Sequence, residues 1–322
     1  MAAALHNVCM DDRGFLETLI GDGRALLDLV ALMLIGCGAF AIFQAASGGF
    51  LPQDVAFLGM SADQLCSLQG CRIVHFMVHD RVSFGGVLIA NGIIYLWLSA
   101  FPLRNRESWA WWAFVVSGTC GFLSFLAYLG YGYLDTWHGA STLVLLPLFI
   151  AGLWRTRTLK SEPVTRPKIR GLGQLLLVLA TFGISMAGLT IMTVGMTRVF
   201  VPQDLDYMGI GAAQIRAINA HLVPLIAHDR AGFGGALFSC GLAMFACALF
   251  GRPSKSLRQA LLFAGVAGFT TAILIHPVIG YTSASHLGPA VLGCVVYFVG
   301  LALSWGQVWK INLTTGRRGA LS

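Results

Sequence analysis

A histidine followed directly by aspartate and arginine occurs twice in this chain, at His79-Asp80-Arg81 and at His228-Asp229-Arg230. An imidazole can ligate a metal or carry a proton near neutral pH. Ionisable residues within a membrane are candidates for function by default. Each motif has companions. Phe50, Pro52, Gln53 and Asp54 precede the first, as Phe200, Pro202, Gln203 and Asp204 precede the second. Gly132-Tyr133 and then His138 follow the first, as Gly280-Tyr281 and then His286 follow the second. The candidate catalytic residues are therefore His79, Asp80, Arg81, His228, Asp229 and Arg230. Two histidines and a carboxylate form a familiar metal-binding set, which suggests the triads His79, His138, Asp54 and His228, His286, Asp204, with Tyr133 and Tyr281 as polar support.

A purely structural account competes with this one. Asp54 and Asp204 follow prolines that discourage helix continuation, so each can cap a short interfacial helix. Asp80 and Asp229 can cap the helices their motifs open, with Arg81 and Arg230 paired to Asp54 and Asp204. Both accounts stay open at this level.

The elements that must position these residues are repeated as well. The three motif pairs recur in the same order at offsets of 150, 149 and 148, as two single-residue deletions would produce. Apolar runs of spanning length fall near 25–46, 82–101, 109–130, 138–154, 172–197, 231–250, 259–276 and 287–309. The expected fold is an all-α integral membrane protein of about eight spans in two four-helix repeats, 1–154 and 172–322, joined by a linker at 155–171. Four spans is an even number, so both repeats face the same way, related by an axis along the membrane normal.

Composition agrees: 57% of the residues are hydrophobic and 11% charged, against about 25% charged in soluble domains. With the N-terminus inside, cytoplasmic segments hold 16 of the 21 Lys and Arg residues, including Arg155, Arg157, Lys160, Arg166, Lys168 and Arg170 of the linker. Both termini are thus expected in the cytoplasm and the chain in the inner (plasma) membrane. The +7 net charge is explained by these topology signals, so the partner is the lipid bilayer and not nucleic acid. The first 24 residues lack the pattern of a cleavable leader, and no lipidation signal is expected. The same partition puts His6 inside and His75, His79, His138, His221, His228, His276 and His286 at the outer face.

Several familiar chemistries do not fit. His75 and His79 are spaced i, i+4, but position 76 is Phe where a zinc peptidase motif needs Glu. Haem between His79 and His138 ranks below a non-haem transition metal, because the adjacent Asp and Arg make that helix end polar. Cys66 and Cys71 lie in an outer loop, as a disulfide, a redox pair or two free thiols. The glycines of Phe84-Gly85-Gly86 and Phe233-Gly234-Gly235 read as close helix contacts, and Trp109, Trp111 and Trp112 as an interfacial belt.

The paired motifs resemble duplicated bacterial multi-pass membrane proteins, a resemblance that implies no activity. The residues favour a metal-dependent or acid–base enzyme, or a redox protein, acting on a lipid, quinone or periplasmic substrate. The alternatives are a small-molecule transporter with a pathway between the repeats and a non-catalytic assembly subunit.

Overall fold

A computed structural model of the chain describes residues 20–127, 130, 132, 133, 135–159, 163, 164 and 167–319, with the backbone alone at 69, 126, 127 and 305–319. His6, Lys160 and Arg166 lie outside the described residues. The described chain is helical, without a strand. A long helix, α1 (Arg24–Ala46), leads to two short ones, α2 (Pro52–Leu58) and α3 (Ala62–Gln69), and then to α4 (Arg72–Leu98), which ends in a π-helical turn, Ser99–Leu103. Two more follow, α5 (Ser108–Ala127) and α6 (Thr136–Thr156). The same order returns as α7 (Leu172–Thr197), α8 (Pro202–Met208), α9 (Ala212–Ile218), α10 (Leu222–Phe250), α11 (Lys255–Ile279) and α12 (Ala284–Gly319). Seven of these helices, all the long ones except α5, are long and apolar enough to cross a bilayer. The chain is an integral membrane protein by that measure.

The central helices are α4 and α10, which pack on each other and carry more buried side chains than any other pair of helices. Around them α1, α6, α7, α11 and α12 present exposed Phe43, Leu143, Phe182, Val278 and Leu292, as lipid-facing helices do. α1 packs on α4 and α7 on α10, but α5 packs chiefly on α10 and α11 on α4. Each flank of the centre thus takes a helix from the far end of the sequence.

Glycine pairs set how closely these helices approach. A Cβ on Gly85 would stand 2.6 Å from the Gly38 carbonyl oxygen of α1, and one on Gly234 would stand 2.9 Å from that of Gly188 in α7. The next glycine of each pair faces elsewhere: Gly86 looks onto Thr271 of α11, and Gly235 onto Ser124 of α5. One dipeptide therefore seats two neighbours, which explains why both glycines are present in each copy.

Both central helices start well before the apolar runs at 82 and 231, at Arg72 and Leu222. Asp80 and Asp229 consequently sit inside helices and cap nothing; the preceding residues are Cys71 and His221. A helix satisfies its own backbone in an apolar setting, so it continues through the polar motif once those side chains find partners. Asp54 and Asp204 lie at the third helical position and not at the cap; each accepts the N–H of the capping residue, Leu51 or Val201. The short helices α2, α3, α8 and α9 cover this end of the bundle with their own core, which includes Leu58, Leu65, Phe76, Met208, Ile215 and Leu225. Cross-links hold the cover down: Arg72 donates to the Tyr207 carbonyl (3.2 Å) and Asn219 to that of Leu58 (2.7 Å). Cys66 and Cys71 form a disulfide at the turn into α4.

Leucine at Gly86 or Gly235 should destabilise the protein by about 1–3 kcal/mol or more, the cost of overpacking a tight contact. Alanine at Gly183, where a Cβ meets nothing within 4 Å, should be near neutral. Melting in detergent checks both.

Candidate metal centres

The site starts from two arginines that reach across the molecule. Arg81 of α4 donates to Asp54 (2.7 Å) and, through Nε, to Asp229 of α10 (2.8 Å). Arg230 of α10 pairs with Asp204, and its Nε lies 3.4 Å from Asp80 of α4, an ion pair outside hydrogen-bond alignment. Each guanidinium thus bridges the Pro-Gln-Asp carboxylate of its own half and the His-Asp-Arg carboxylate of the other. Tyrosines complete the shell: Tyr133 donates to Asp54, and Tyr281 donates to Asp204 at 2.8 Å. Burial and then the charge of the neighbouring Asp54 or Asp204 push both phenols well above their ordinary pKa, so both remain neutral donors.

The carboxylates in turn orient the histidines. His79 Nδ1 is 3.0 Å from Asp80 Oδ1, and His228 Nδ1 is 3.2 Å from Asp229 Oδ1. That leaves Nε2 of each ring to face inward, the arrangement by which proteins fix metal-binding histidines. Two groups of ligand atoms result, each lying within 4.8 Å of one another: Asp135, His138, His228 in one, and His79, His276, His286 in the other. Donors at 2.0–2.1 Å from a tetrahedral ion stand about 3.4 Å apart. Two separations in the first group already match that spacing.

In the first group His138 Nδ1 lies 3.1 Å from His228 Nε2 and 3.4 Å from Asp135 Oδ2. Asp135 caps α6, its Oδ1 accepting the N–H of Trp137 (2.8 Å) and of His138 (3.3 Å), and Gln53 Nε2 donates to it from α2. Its other oxygen is thereby turned toward the histidines. In the second group the rings of His79 and His276 stand edge to face at 4.5 Å, and Tyr281 stacks on His286 at 4.4 Å. His276 is 96% buried by its 4% exposure, yet neither ring nitrogen has a hydrogen-bond partner of ordinary geometry. Two lone polar atoms at such depth are costly unless something else satisfies them.

The groupings differ from the triads expected from sequence. His79 meets His276 and His286, whereas His138 meets His228. Asp54 and Asp204 serve the arginines and tyrosines. Asp135 and His276 are the residues that sequence reasoning left out. Asp135 carried one signal, a capping residue three positions before His138; His276 carried only its place at an outer helix end. His75 is exposed, and His221 bonds to the Phe57 carbonyl at 2.6 Å; neither joins a group. His79 and His138, the pair considered for a haem, fall in different groups.

Charge completes the description. Asp54, Asp80, Asp204 and Asp229 are buried against two guanidiniums, an excess of two negative charges before Asp135 is counted. Metal ions, or imidazolium at the histidines beside Asp80 and Asp229, would offset that formal excess. Comparison with known protein families, characterised proteins and solved structures found no match to this chain.

Replacing Arg81 by leucine should cost about 3–5 kcal/mol, because it strands two buried carboxylates. Adding Asp54→Asn and Asp229→Asn should recover most of that loss, which unfolding in a denaturing-detergent titration would measure.

Proposed function

We propose that this chain is a duplicated membrane metalloprotein whose two centres at the extracytoplasmic face perform metal-assisted or acid–base chemistry. The observation that carries this reading is the pair of donor groups, each with a histidine oriented by a carboxylate that an arginine holds. Isolated histidines at helix ends need no such shell; metal-binding histidines routinely have one. Two histidines and a carboxylate suit a divalent metal with open positions, and three histidines suit zinc. A bound ion would supply Lewis acidity or an activated water. Around it, this chain's residues have defined work. Asp80 and Asp229 hold the imidazole tautomers, Tyr133 and Tyr281 fix the second carboxylates, and the short-helix cover restricts water.

Catalytic roles for His79, Asp80, Arg81, His228, Asp229 and Arg230 are thereby divided. The histidines are the groups that touch the ion, and the Asp and Arg residues position them. The duplication joins 1–154 to 172–322 through the basic linker, with Ser108–Ala127 as the eighth span. The outward placement of the motif end rests on the opposite concentration of Lys and Arg and on the Cys66–Cys71 disulfide, which an oxidising compartment permits. The Asp, Arg and His residues of the repeated motifs gather at one end of the bundle and not at its middle. A charged transport pathway would need them at mid-depth, which disfavours the transporter.

Metal analysis of purified protein should find two equivalents per chain. His276→Ala with His286→Ala should reduce this to one, His138→Ala with His228→Ala should also leave one, and the quadruple variant should hold none. Metal below a tenth of an equivalent after reconstitution with zinc, iron(II) or manganese(II), in protein that melts cooperatively, would sink the reading.

A further inference from the structure

Beside the Asp135–His138–His228 group lies a cavity of about 400 Å³ bounded by α1, α4, α5, α6 and α10. Its volume falls within the range of small-molecule sites. Along α4 it runs from Arg81 to Tyr95, a length of about 21 Å at 1.5 Å per residue. Such a slot suits a chain better than a compact solute. Its walls are mainly apolar, with Phe84, Leu88, Phe122 and Leu145 among them. The inner end is closed by Asn91, Tyr95 and Ser239. Asn91 donates to Ser239 (3.5 Å) and Tyr95 bonds Ser117 (2.8 Å), which leaves the Asn91 amide oxygen for a hydroxyl or a water.

Access is lateral. Phe40 of α1 and Trp137 of α6 both line the cavity, pack ring against ring at 5.8 Å, and are 44% and 54% exposed. The seam between α1 and α6 is therefore closed by an aromatic pair that lies on the lipid-facing side of the bundle, and parting that pair would join the cavity to the bilayer. Water-soluble molecules have no evident reason to enter there, whereas a molecule already dissolved in the bilayer does.

The outer end decides the headgroup. Arg81 lines it but already bridges Asp54 and Asp229, so an anionic head meets no uncommitted guanidinium and several carboxylates. A cationic head would be drawn to those carboxylates only while no metal offsets them. A neutral head bearing oxygen can approach a metal-loaded centre or bond His138 directly.

We propose that this cavity binds a lipid-soluble molecule with a neutral, oxygen-bearing headgroup. The head lies at Asp135, His138 and His228, and the chain lies along α4, entering from the bilayer between α1 and α6. The proposal rests on the metal reading for the preference among headgroups, and on the cavity alone for occupancy.

Gly232 offers a clean test. It is buried, lines the cavity, and a Cβ there meets nothing within 4 Å, so a leucine side chain starts into the void without a clash at its Cβ. Gly36, on the opposite wall and equally open, gives a second variant. Native mass spectrometry of the detergent-solubilised full chain counts bound probe, with metal content measured on the same samples. The probes share a ten-carbon tail: a decyl hydroquinone, decyl phosphate and decyltrimethylammonium. Metal-loaded protein should take up the hydroquinone at least 10-fold more readily than either charged probe. Gly232→Leu and Gly36→Leu should each reduce that uptake at least 10-fold with metal content unchanged. The proposal is overturned if metal-loaded protein takes up no hydroquinone, if a charged probe binds as well, or if both leucine variants bind normally. Failure of the metal reading would show separately, as absent metal in protein that still takes up a probe.

Discussion

Two arginines crossing between the central helices fix the architecture of this end of the molecule. Each ties a carboxylate on a short helix of its own half to a carboxylate on the central helix of the other. An ion pair buried at this depth contributes little net stability compared with an apolar contact of equal volume. Its value is in what it forbids. α4 and α10 cannot slide or rotate relative to each other without stranding charge, so their register is set. The histidines beside Asp80 and Asp229 then point where the crossing directs them.

That crossing also explains why neither half builds a donor group by itself. Each group takes one histidine from a central helix and its remaining donors from the opposite half. The exchange extends to packing, since α5 lies on α10 and α11 on α4, each admitted by the second glycine of a pair. His276, at the end of α11, reaches His79 because Gly86 lets α11 approach. Packing and chemistry share one contact here, so a change at the glycine propagates to the donor group.

Much of this was legible in the sequence, for physical reasons that can be named. Apolar run length located the long helices because lipid imposes a length, and the Pro-Gln-Asp motifs announced short helices. The ion pairs Arg81–Asp54 and Arg230–Asp204 followed from the need to neutralise charge near apolar surroundings. What could not be read was which half supplies which partner. Sequence proximity favoured His79 with His138, but two central helices lying side by side bring His138 to His228. The extension of α4 and α10 through their polar motifs was also hidden. Apolarity alone marks a helix only where it meets lipid, and these turns meet buried carboxylates. His276 and Asp135 escaped notice because neither belongs to a repeated motif.

That last fact bears on how the two centres differ. Tyr133 and Tyr281 occupy matching positions at an offset of 148, and at the same offset Asp135 is matched by Ser283. The half that keeps the aspartate presents a carboxylate with two imidazoles, while the other recruits His276 and presents three imidazoles. With the same residue types in the arginine and tyrosine shells, the donor sets differ by one formal charge. A carboxylate donor favours a harder or more highly charged ion and lowers the acidity of a bound water relative to three neutral donors. The group with the carboxylate is also the one beside the cavity. On the proposed reading of the chain as a duplication, one difference of donor type between two equivalent frames is sufficient to make the centres chemically unequal.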